Sequence, residues 1–226
     1  MTPNGVGSRA QLVLASASPR RRQILESLGI AARCLDADVD ETPQPGESPS
    51  AMVARLAEAK ARAGLAMLET EPAGYADGVV VIGADTTVAL GEESLGKPVD
   101  DDEARAMLRR LSGRSHQVLT GVAVAVRASA AAAGGRCEAR VDGATVYFRA
   151  VDEAEIDAYV ASGEPQGKAG AYAIQGRGAL FVPRIEGSYA AVVGLPVVVL
   201  DDLCRAVAGR PLGSWASDGS ADGGVC

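Results

Sequence analysis

Three consecutive arginines, Arg20, Arg21 and Arg22, follow a Ser-Pro pair that predicts the start of a helix. The first turn of a helix disfavours cations, because its free N–H groups already carry positive partial charge. A solvated basic turn is one interpretation of such a run. Here the run directly follows a short apolar strand, residues 12–15, so the N–H groups and the guanidinium groups point the same way. We therefore favour phosphate binding.

Two carboxylates could hold a divalent cation. Asp85 ends an apolar run, residues 79–84, that predicts a strand buried on both faces. This position is at the carboxyl edge of the sheet, where α/β proteins bind ligands, although a turn or cap aspartate is the alternative. Glu41 closes an acidic run, residues 36–41, whose ordinary interpretation is a solvated loop. Because polyphosphate chemistry generally needs a hard cation held by one or two carboxylates, Glu41 and Asp85 are candidate ligands of Mg²⁺ or Mn²⁺.

Two lysines are candidate phosphate ligands. Lys60 lies on the apolar stripe of a predicted helix. A snorkelling lysine is the commoner interpretation, and a charge directed into a cleft is the more specific one. Lys97 stands in a stretch that is one residue short of the P-loop pattern. Pro98 replaces the Ser or Thr that should hold magnesium, so this stretch is not a P-loop. His116 is the only histidine, which excludes a two-histidine metal site.

The elements that must position these residues alternate between strand and helix. Residues 118–127 and 144–150 are rich in β-forming residues and are expected to be antiparallel neighbours. Alternation around an antiparallel section predicts an α/β fold, with a mixed sheet and helices on both faces. Strands are predicted at 12–15, 79–84, 118–127, 144–150 and near 180–185, and helices at 18–29, 48–68, 100–113, 152–162 and 196–209.

Composition bounds the class of protein. The 226 residues carry a formal net charge of −7, which argues against a broad contact with a nucleic acid polymer. The longest apolar run, residues 190–200, is interrupted by Gly194 and Pro196 and is too short to span a membrane. The four cysteines form no C-x-x-C pair and no secretion signal is evident, so we expect a cytoplasmic protein. We expect a flexible lead over residues 1–10, one domain over 11–209, and a disordered tail over 210–226.

Taken together, these residues fall in an ordered set of motifs that closely resembles the Maf-like nucleotide pyrophosphatases. The resemblance runs from about residue 12 to residue 207. The motifs are Leu14-Ala15-Ser16-Ala17-Ser18-Pro19-Arg20-Arg21, Gly83-Ala84-Asp85-Thr86, Gly96-Lys97-Pro98, Lys168-Ala169-Gly170-Ala171-Tyr172, Ile174-Gln175-Gly176 and Val193-Gly194-Leu195-Pro196.

The resemblance implies an elongated mixed sheet flanked by helices, with two lobes around a central cleft. It also implies a divalent metal, a homodimer in many members, and hydrolysis of a nucleoside triphosphate between the α and β phosphates. Asp85 would be the proton acceptor and Glu41 a catalytic or metal-binding carboxylate, and these two roles could be exchanged. The expected phosphate ligands are Ser16, Arg21, Lys60 and Lys97.

Three further positions match those that the family uses to select the base, namely Arg20, Thr86 and Gln175. All three resemble the branch that hydrolyses dTTP and UTP. The other branch prefers 7-methyl-GTP and tends to have tryptophan at the position of Arg20, glutamine at that of Thr86 and glutamate at that of Gln175. A neutral glutamine amide has both a donor and an acceptor, which suits the O4 and N3–H edge of uracil or thymine. A nucleotide-binding regulator of septum formation without useful turnover is the alternative from another class.

Overall fold

The computed structural model describes residues 6–7, 9–69, 78–127 and 135–216. Its strands are β1 (Gln11–Ala15), β2 (Arg33–Leu35), β3 (Val79–Leu90), β4 (Glu93–Leu95), β5 (Ser115–Arg127), β6 (Arg136–Tyr147) and β7 (Arg184–Gly187). They form one seven-stranded sheet in the order β2-β1-β3-β5-β6-β7, with β4 paired to β3. β1 is parallel to β2 and β3, whereas the pairs from β3 through β5 and β6 to β7 are antiparallel. The mixed α/β sheet predicted from the sequence is confirmed.

Helices cover both faces of this sheet. The long helix α2 (Pro49–Glu69) packs on one face, and the others pack on the opposite face or at its ends. Asp100 and Asp152 stand where the sequence predicts two helices to begin, and their side chains cap those helices. Ser18 precedes the first helix but makes no side-chain cap bond. The helices are α1 (Pro19–Ser27), α2 (Pro49–Glu69), α3 (Asp101–Leu111), α4 (Glu153–Val160), α5 (Tyr189–Val193) and α6 (Val197–Leu203).

Two apolar cores lie on the same face of the long strands β3 and β5. One core includes Ile82 of β3 and packs against α1 and α6. The other includes Val88 of β3 and Val118 of β5 and packs against α3 and α4. Side chains of a strand alternate between faces, so Thr86 and Thr120 occupy this same face between the two cores. The cores form two lobes, and these threonines mark the boundary between them.

The edge of β3 is open between its two neighbours on one side. β1 ends at Ala15, opposite Gly83, and the pairing with β4 begins only at Val88. Within the described chain, residues 84–87 of β3 therefore have no strand partner on that edge. An open stretch of this kind leaves room for a ligand between the two lobes.

The prediction that Asp85 ends its strand is wrong. β3 continues to Leu90, because Thr86, Thr87 and Val88 are β-branched and pair in register with β5. Asp85 instead lies in mid-strand, just beyond the carboxyl end of the parallel neighbour β1. It thus still lies at an edge where a ligand can approach, but for a different reason.

The segment after residue 209 is part of the folded domain as far as the structure describes it. A 3-10 turn spans Leu212–Trp215, and Leu212 is buried in the core that contacts α1 and α6. The Trp215 indole Nε1 donates to the Ala10 carbonyl at 2.9 Å. The predicted disordered tail therefore begins too early in the chain, since two apolar side chains anchor residues 210–216. Residues 217–226 lie outside the described residues.

Other differences concern short elements and the N-terminal lead. Val6 packs on the same core as Leu212, and its N–H donates to the Ala208 carbonyl at 3.2 Å, so this part of the predicted loose lead is folded. The strand expected near 180–185 is a 3-10 turn, Arg177–Phe181, followed by β7. β2 and β4 have three residues each, too few to give a recognisable alternation. Among the described residues, no helix has the length and apolar character needed to cross a bilayer.

Candidate functional site

One cleft of about 740 Å³ opens beside the unpaired edge of β3. Its lining comes from the end of β1, the start of α1, the loop before α2, and the segments around residues 168 and 193. The cleft therefore lies between the two lobes. Eight of the nine candidate residues line it, namely Ser16, Arg20, Arg21, Glu41, Lys60, Asp85, Thr86 and Lys97.

Lys60 joins the two candidate carboxylates. Its Nζ lies 2.7 Å from Asp85 Oδ1 and 2.6 Å from Glu41 Oε1. Lys60 is 8% exposed, so its charge is directed into the cleft and the snorkelling alternative does not hold. Burial alone would raise the pKa of Glu41, but the hydrogen bond from Lys60 and the charges of Lys60, Lys97 and Arg21 outweigh it. The pKa of Glu41 is consequently below its usual value.

Two glycines let α2 approach the sheet closely enough to place Lys60. A Cβ on Gly83 would lie 2.1 Å from the Ala57 carbonyl oxygen, and one on Gly121 would lie 2.1 Å from the Val53 carbonyl oxygen. Gly83 precedes Asp85 by two residues, and Gly121 on β5 is the register partner of Asp85. All three lie on the face that α2 covers. The absence of side chains there brings the helix, and with it Lys60, down onto Asp85.

Arg21 is held on the opposite side of β3 by three hydrogen bonds. Its Nε donates to the Gly194 carbonyl at 2.8 Å, Nη1 donates to Ser16 Oγ at 2.9 Å, and Nη2 donates to Thr86 Oγ1 at 3.0 Å. Burial lowers the pKa of Arg21 to about 10, with the charge of Asp85 acting in the opposite direction. Arg21 therefore remains a cation at neutral pH, and its hydrogen bonds tie α1 to β3 and to the loop before α6.

Thr86 continues this network across the boundary between the lobes. Its Oγ1 lies 2.8 Å from Thr120 Oγ1, and the Thr120 hydroxyl donates to the Ala191 carbonyl at 2.7 Å. Thr120 and Gly194 are site residues that the sequence does not predict. Gly194 belongs to the motif Val193-Gly194-Leu195-Pro196 and has φ of 109°, a value that favours glycine. No sequence signal marks Thr120.

The far side of the cleft is less polar. Val88, Val118, Tyr172, Ile174 and Val192 line it. The Tyr172 hydroxyl lies 2.8 Å from His116 Nε2, and the two rings pack edge to face. The cleft thus has one end rich in charges and another lined by apolar side chains. This arrangement suits a ligand with a polyanionic group and a flat, partly apolar one.

Two cations face this far side. Arg20 lines the cleft, and burial lowers its pKa, with Tyr159 acting in the opposite direction. Lys168 also lines the cleft, and its Nζ donates to the Glu164 carbonyl at 2.6 Å. Burial, followed by the charge of Arg20, lowers the pKa of Lys168. Lys168 begins the motif Lys168-Ala169-Gly170-Ala171-Tyr172, but the sequence does not predict it as a site residue.

The structure does not bring Gln175 into the cleft lining. Its side chain is exposed, although the preceding Ile174 does line the cleft. Gln175 thus lies beside the far side of the cleft rather than within it. The glutamine could not be placed from the sequence, because the turn that carries it is fixed by distant contacts.

The carboxylates fit a divalent cation of the magnesium type. Within the described chain, no group of three His, Cys, Asp or Glu side chains could hold a metal by itself. Glu41 and Asp85 nevertheless share one cationic partner, so their oxygens face a common point. Mg²⁺ is commonly bound by one or two carboxylates, with substrate phosphates and water completing its shell. The donor set matches that pattern.

The segment that builds this cleft matches a known protein family. The family model described as Maf-like protein covers residues 11–207. The chain belongs to the Maf-like family. A relative named dTTP/UTP pyrophosphatase from Pelotomaculum thermopropionicum is 48% identical over 195 residues, covering 86% of this chain and 95% of the relative. Another of the same name from Anaeromyxobacter dehalogenans is 50% identical over 202 residues, covering 89% and 96%.

A solved structure gives a weaker likeness to this Maf-like protein. A dITP/XTP pyrophosphatase from Mycobacterium abscessus aligns with a TM-score of 0.35 and 17% identity, covering 60% of this chain and 74% of that one.

Proposed function

We propose that this Maf-like protein is a pyrophosphatase that hydrolyses dTTP and UTP to the monophosphate and pyrophosphate. The observation that carries the proposal is the convergence of Lys60, Glu41 and Asp85 at one end of the cleft, with Arg21 and Lys97 also lining it. Relatives that are about half identical bear the name dTTP/UTP pyrophosphatase, which supports the choice of substrate.

The chemistry follows from where charge develops. A water oxygen forms a bond to the α-phosphorus while the bond from that phosphorus to the α–β bridging oxygen breaks. The electron pair of the broken bond leaves with pyrophosphate, and Arg21, Lys60 and Lys97 offset its growing charge. A carboxylate, Asp85 in our proposal, accepts the proton of the attacking water.

A divalent cation would be held by Glu41 and Asp85. When bound, it supplies further positive charge to the phosphate oxygens. We expect pyrophosphate release to require added Mg²⁺ or Mn²⁺ and to stop after treatment with a chelator, since carboxylates are the candidate ligands. Undiminished hydrolysis in EDTA would show that the cationic side chains suffice.

The base would occupy the apolar side of the cleft. Arg20 and Thr86 line the cleft, and Gln175 lies next to Ile174 on that side. In this proposal these three residues select uracil or thymine. A homodimer, which the family resemblance implies, and the cytoplasmic location expected from the sequence are part of the same proposal.

The test is pyrophosphate release measured side by side with dTTP, UTP, CTP and 7-methyl-GTP. We expect the highest kcat/KM with dTTP and UTP, and Gln175→Glu should erode the preference over 7-methyl-GTP. A higher kcat/KM for 7-methyl-GTP in the wild type would overturn the choice of base while leaving the hydrolase intact. Absence of pyrophosphate release from every nucleotide would favour a binding protein without turnover.

A further inference from the structure

The turn that carries Gln175 is held by one distant carboxylate. Glu164 Oε2 accepts from the Arg177 N–H at 2.9 Å, and Glu164 Oε1 accepts from the Gly178 N–H at 3.1 Å. Both donors follow the turn at residues 174–176 directly. The carboxylate thus fixes the C-terminal side of that turn.

A tyrosine fixes the N-terminal side of the same turn. The Tyr159 hydroxyl donates to Glu164 Oε1 at 2.9 Å and accepts from the Ala173 N–H at 3.1 Å. Tyr159 is 3% exposed and lies in α4, so its position is set by the core. Because Tyr159 and Glu164 are hydrogen bonded to each other, the two ends of the turn are tied to one pair of side chains.

The pair also explains a glycine within the turn. A Cβ on Gly176 would lie 2.5 Å from the Glu164 carboxylate carbon and both of its oxygens. Burial disfavours the charged form of Glu164, but its hydrogen bonds from Arg177, Gly178 and Tyr159 outweigh this and keep its pKa low. A charged carboxylate therefore sits directly against the turn backbone.

The turn is joined to the cleft by Ile174 and by residues that precede the turn. Tyr172 and Ile174 line the cleft, and Gln175 follows them. Lys168, another lining residue, donates to the backbone carbonyl of Glu164. Movement of the Tyr159–Glu164 pair would consequently displace the side of the cleft that faces the base.

We propose that Tyr159 and Glu164 are positioning residues that set base selectivity by holding the turn at residues 174–176 beside the cleft. The inference rests on the proposed function. Neither side chain needs to touch the nucleotide, because the selectivity is exerted through the placement of Ile174 and Gln175.

The experiment compares UTP with CTP, whose bases differ only on one edge. In Tyr159→Phe, the ratio of kcat/KM for UTP to that for CTP should fall roughly tenfold, about the effect of one hydrogen bond. Tyr147→Phe is the matched control, because the Tyr147 hydroxyl also donates to a glutamate, Glu186, at 2.7 Å but on β6. Its ratio should equal that of the wild type.

A double-mutant cycle separates positioning from general destabilisation. Tyr159→Phe should change the ratio little in a Gln175→Ala background, because the residue that it positions is gone. Amide exchange of residues 173–178 should also accelerate in Tyr159→Phe and in Glu164→Gln, and not in Tyr147→Phe.

The outcomes are distinguishable. A wild type that releases no pyrophosphate refutes the proposed function. A wild type that prefers UTP, paired with a Tyr159→Phe variant of unchanged ratio, overturns the positioning role alone. Equal loss of kcat/KM for both nucleotides would likewise overturn it, since that pattern indicates a purely structural contact. A wild type without preference between UTP and CTP also contradicts the inference.

Discussion

Lys60 Nζ lies 2.7 Å from Asp85 Oδ1, and the same ammonium group contacts Glu41 Oε1 at 2.6 Å. The lysine therefore stands between the two carboxylates that are the candidate metal ligands. A divalent cation drawn to the same oxygens would compete with this ammonium group for them.

Lys60→Met should accordingly raise the affinity of the nucleotide-free protein for Mn²⁺, by at least about tenfold, because two neighbouring carboxylates lose their cation. Turnover should fall at the same time, since a proposed phosphate ligand is lost. Titration of free Mn²⁺ by electron paramagnetic resonance measures the first effect. Arg62→Met is the matched control, because Arg62 pairs with Glu58 on the exposed side of α2. Equal affinities in all three proteins would contradict the competition.

Asp85→Asn should fold normally and lose nearly all turnover. Asparagine retains an oxygen that Lys60 can contact, but it cannot accept the proton of the attacking water. General-base assistance is typically worth about 10²–10⁴-fold in rate. Steady-state pyrophosphate release measures the loss, and circular dichroism checks the fold. Asp102→Asn, at a side chain that is 95% exposed on α3, should retain full activity. Near-wild-type turnover of Asp85→Asn would exclude Asp85 as the proton acceptor.

His116 should make the protein less stable in mild acid. Burial lowers its pKa from 6.5 to about 4, and its Nδ1 has no hydrogen-bond partner among the described residues. Below about pH 6.5 the unfolded chain therefore binds a proton at His116 that the folded chain does not bind. The free energy of unfolding consequently decreases as pH falls from 6.5 towards 4. The loss should reach about 2 kcal/mol by about pH 5.

Urea unfolding at about pH 7 and about pH 5 measures this loss. Since His116 is the only histidine, the His116→Gln variant should lack most of the change in that interval. An equally large change in His116→Gln would assign the acid sensitivity to carboxylates instead.

Removal of residues 210–226 should lower the melting temperature by several degrees. Leu212 is buried, and the indole of Trp215 both contacts the core and donates to Ala10. Loss of such contacts typically costs a few kcal/mol. Differential scanning calorimetry provides the measurement, and a shorter deletion of residues 217–226 retains both anchors. Equal melting temperatures for the full chain and the longer deletion would show that Leu212 and Trp215 contribute little.

The mixed sheet could be predicted from the sequence, because its elements carry clear local patterns. Caps at Asp100 and Asp152 and the Ser-Pro starts mark helices through local chemistry alone. Asp85 shows the limit of that reasoning. Its strand continues because β5, from a later part of the chain, pairs with it along most of its length.

Site contacts were harder to predict for the same reason. Arg21 could be expected to face a ligand, but its partner Gly194 is 173 residues away in the chain. The exposed position of Gln175 depends on Tyr159 and Glu164, which belong to another segment. Such contacts depend on the register and packing of whole elements, which local periodicity does not encode.

Gly83 and Gly121 have a consequence for how variants of this protein are interpreted. A single methyl group at either position would lift α2 from the sheet and carry Lys60 away from Asp85, with every charged residue unchanged. An inactive variant at these glycines therefore gives no information about proton transfer or phosphate binding. Its loss of activity reflects the distance between α2 and the sheet, which any redesign of the cleft has to preserve.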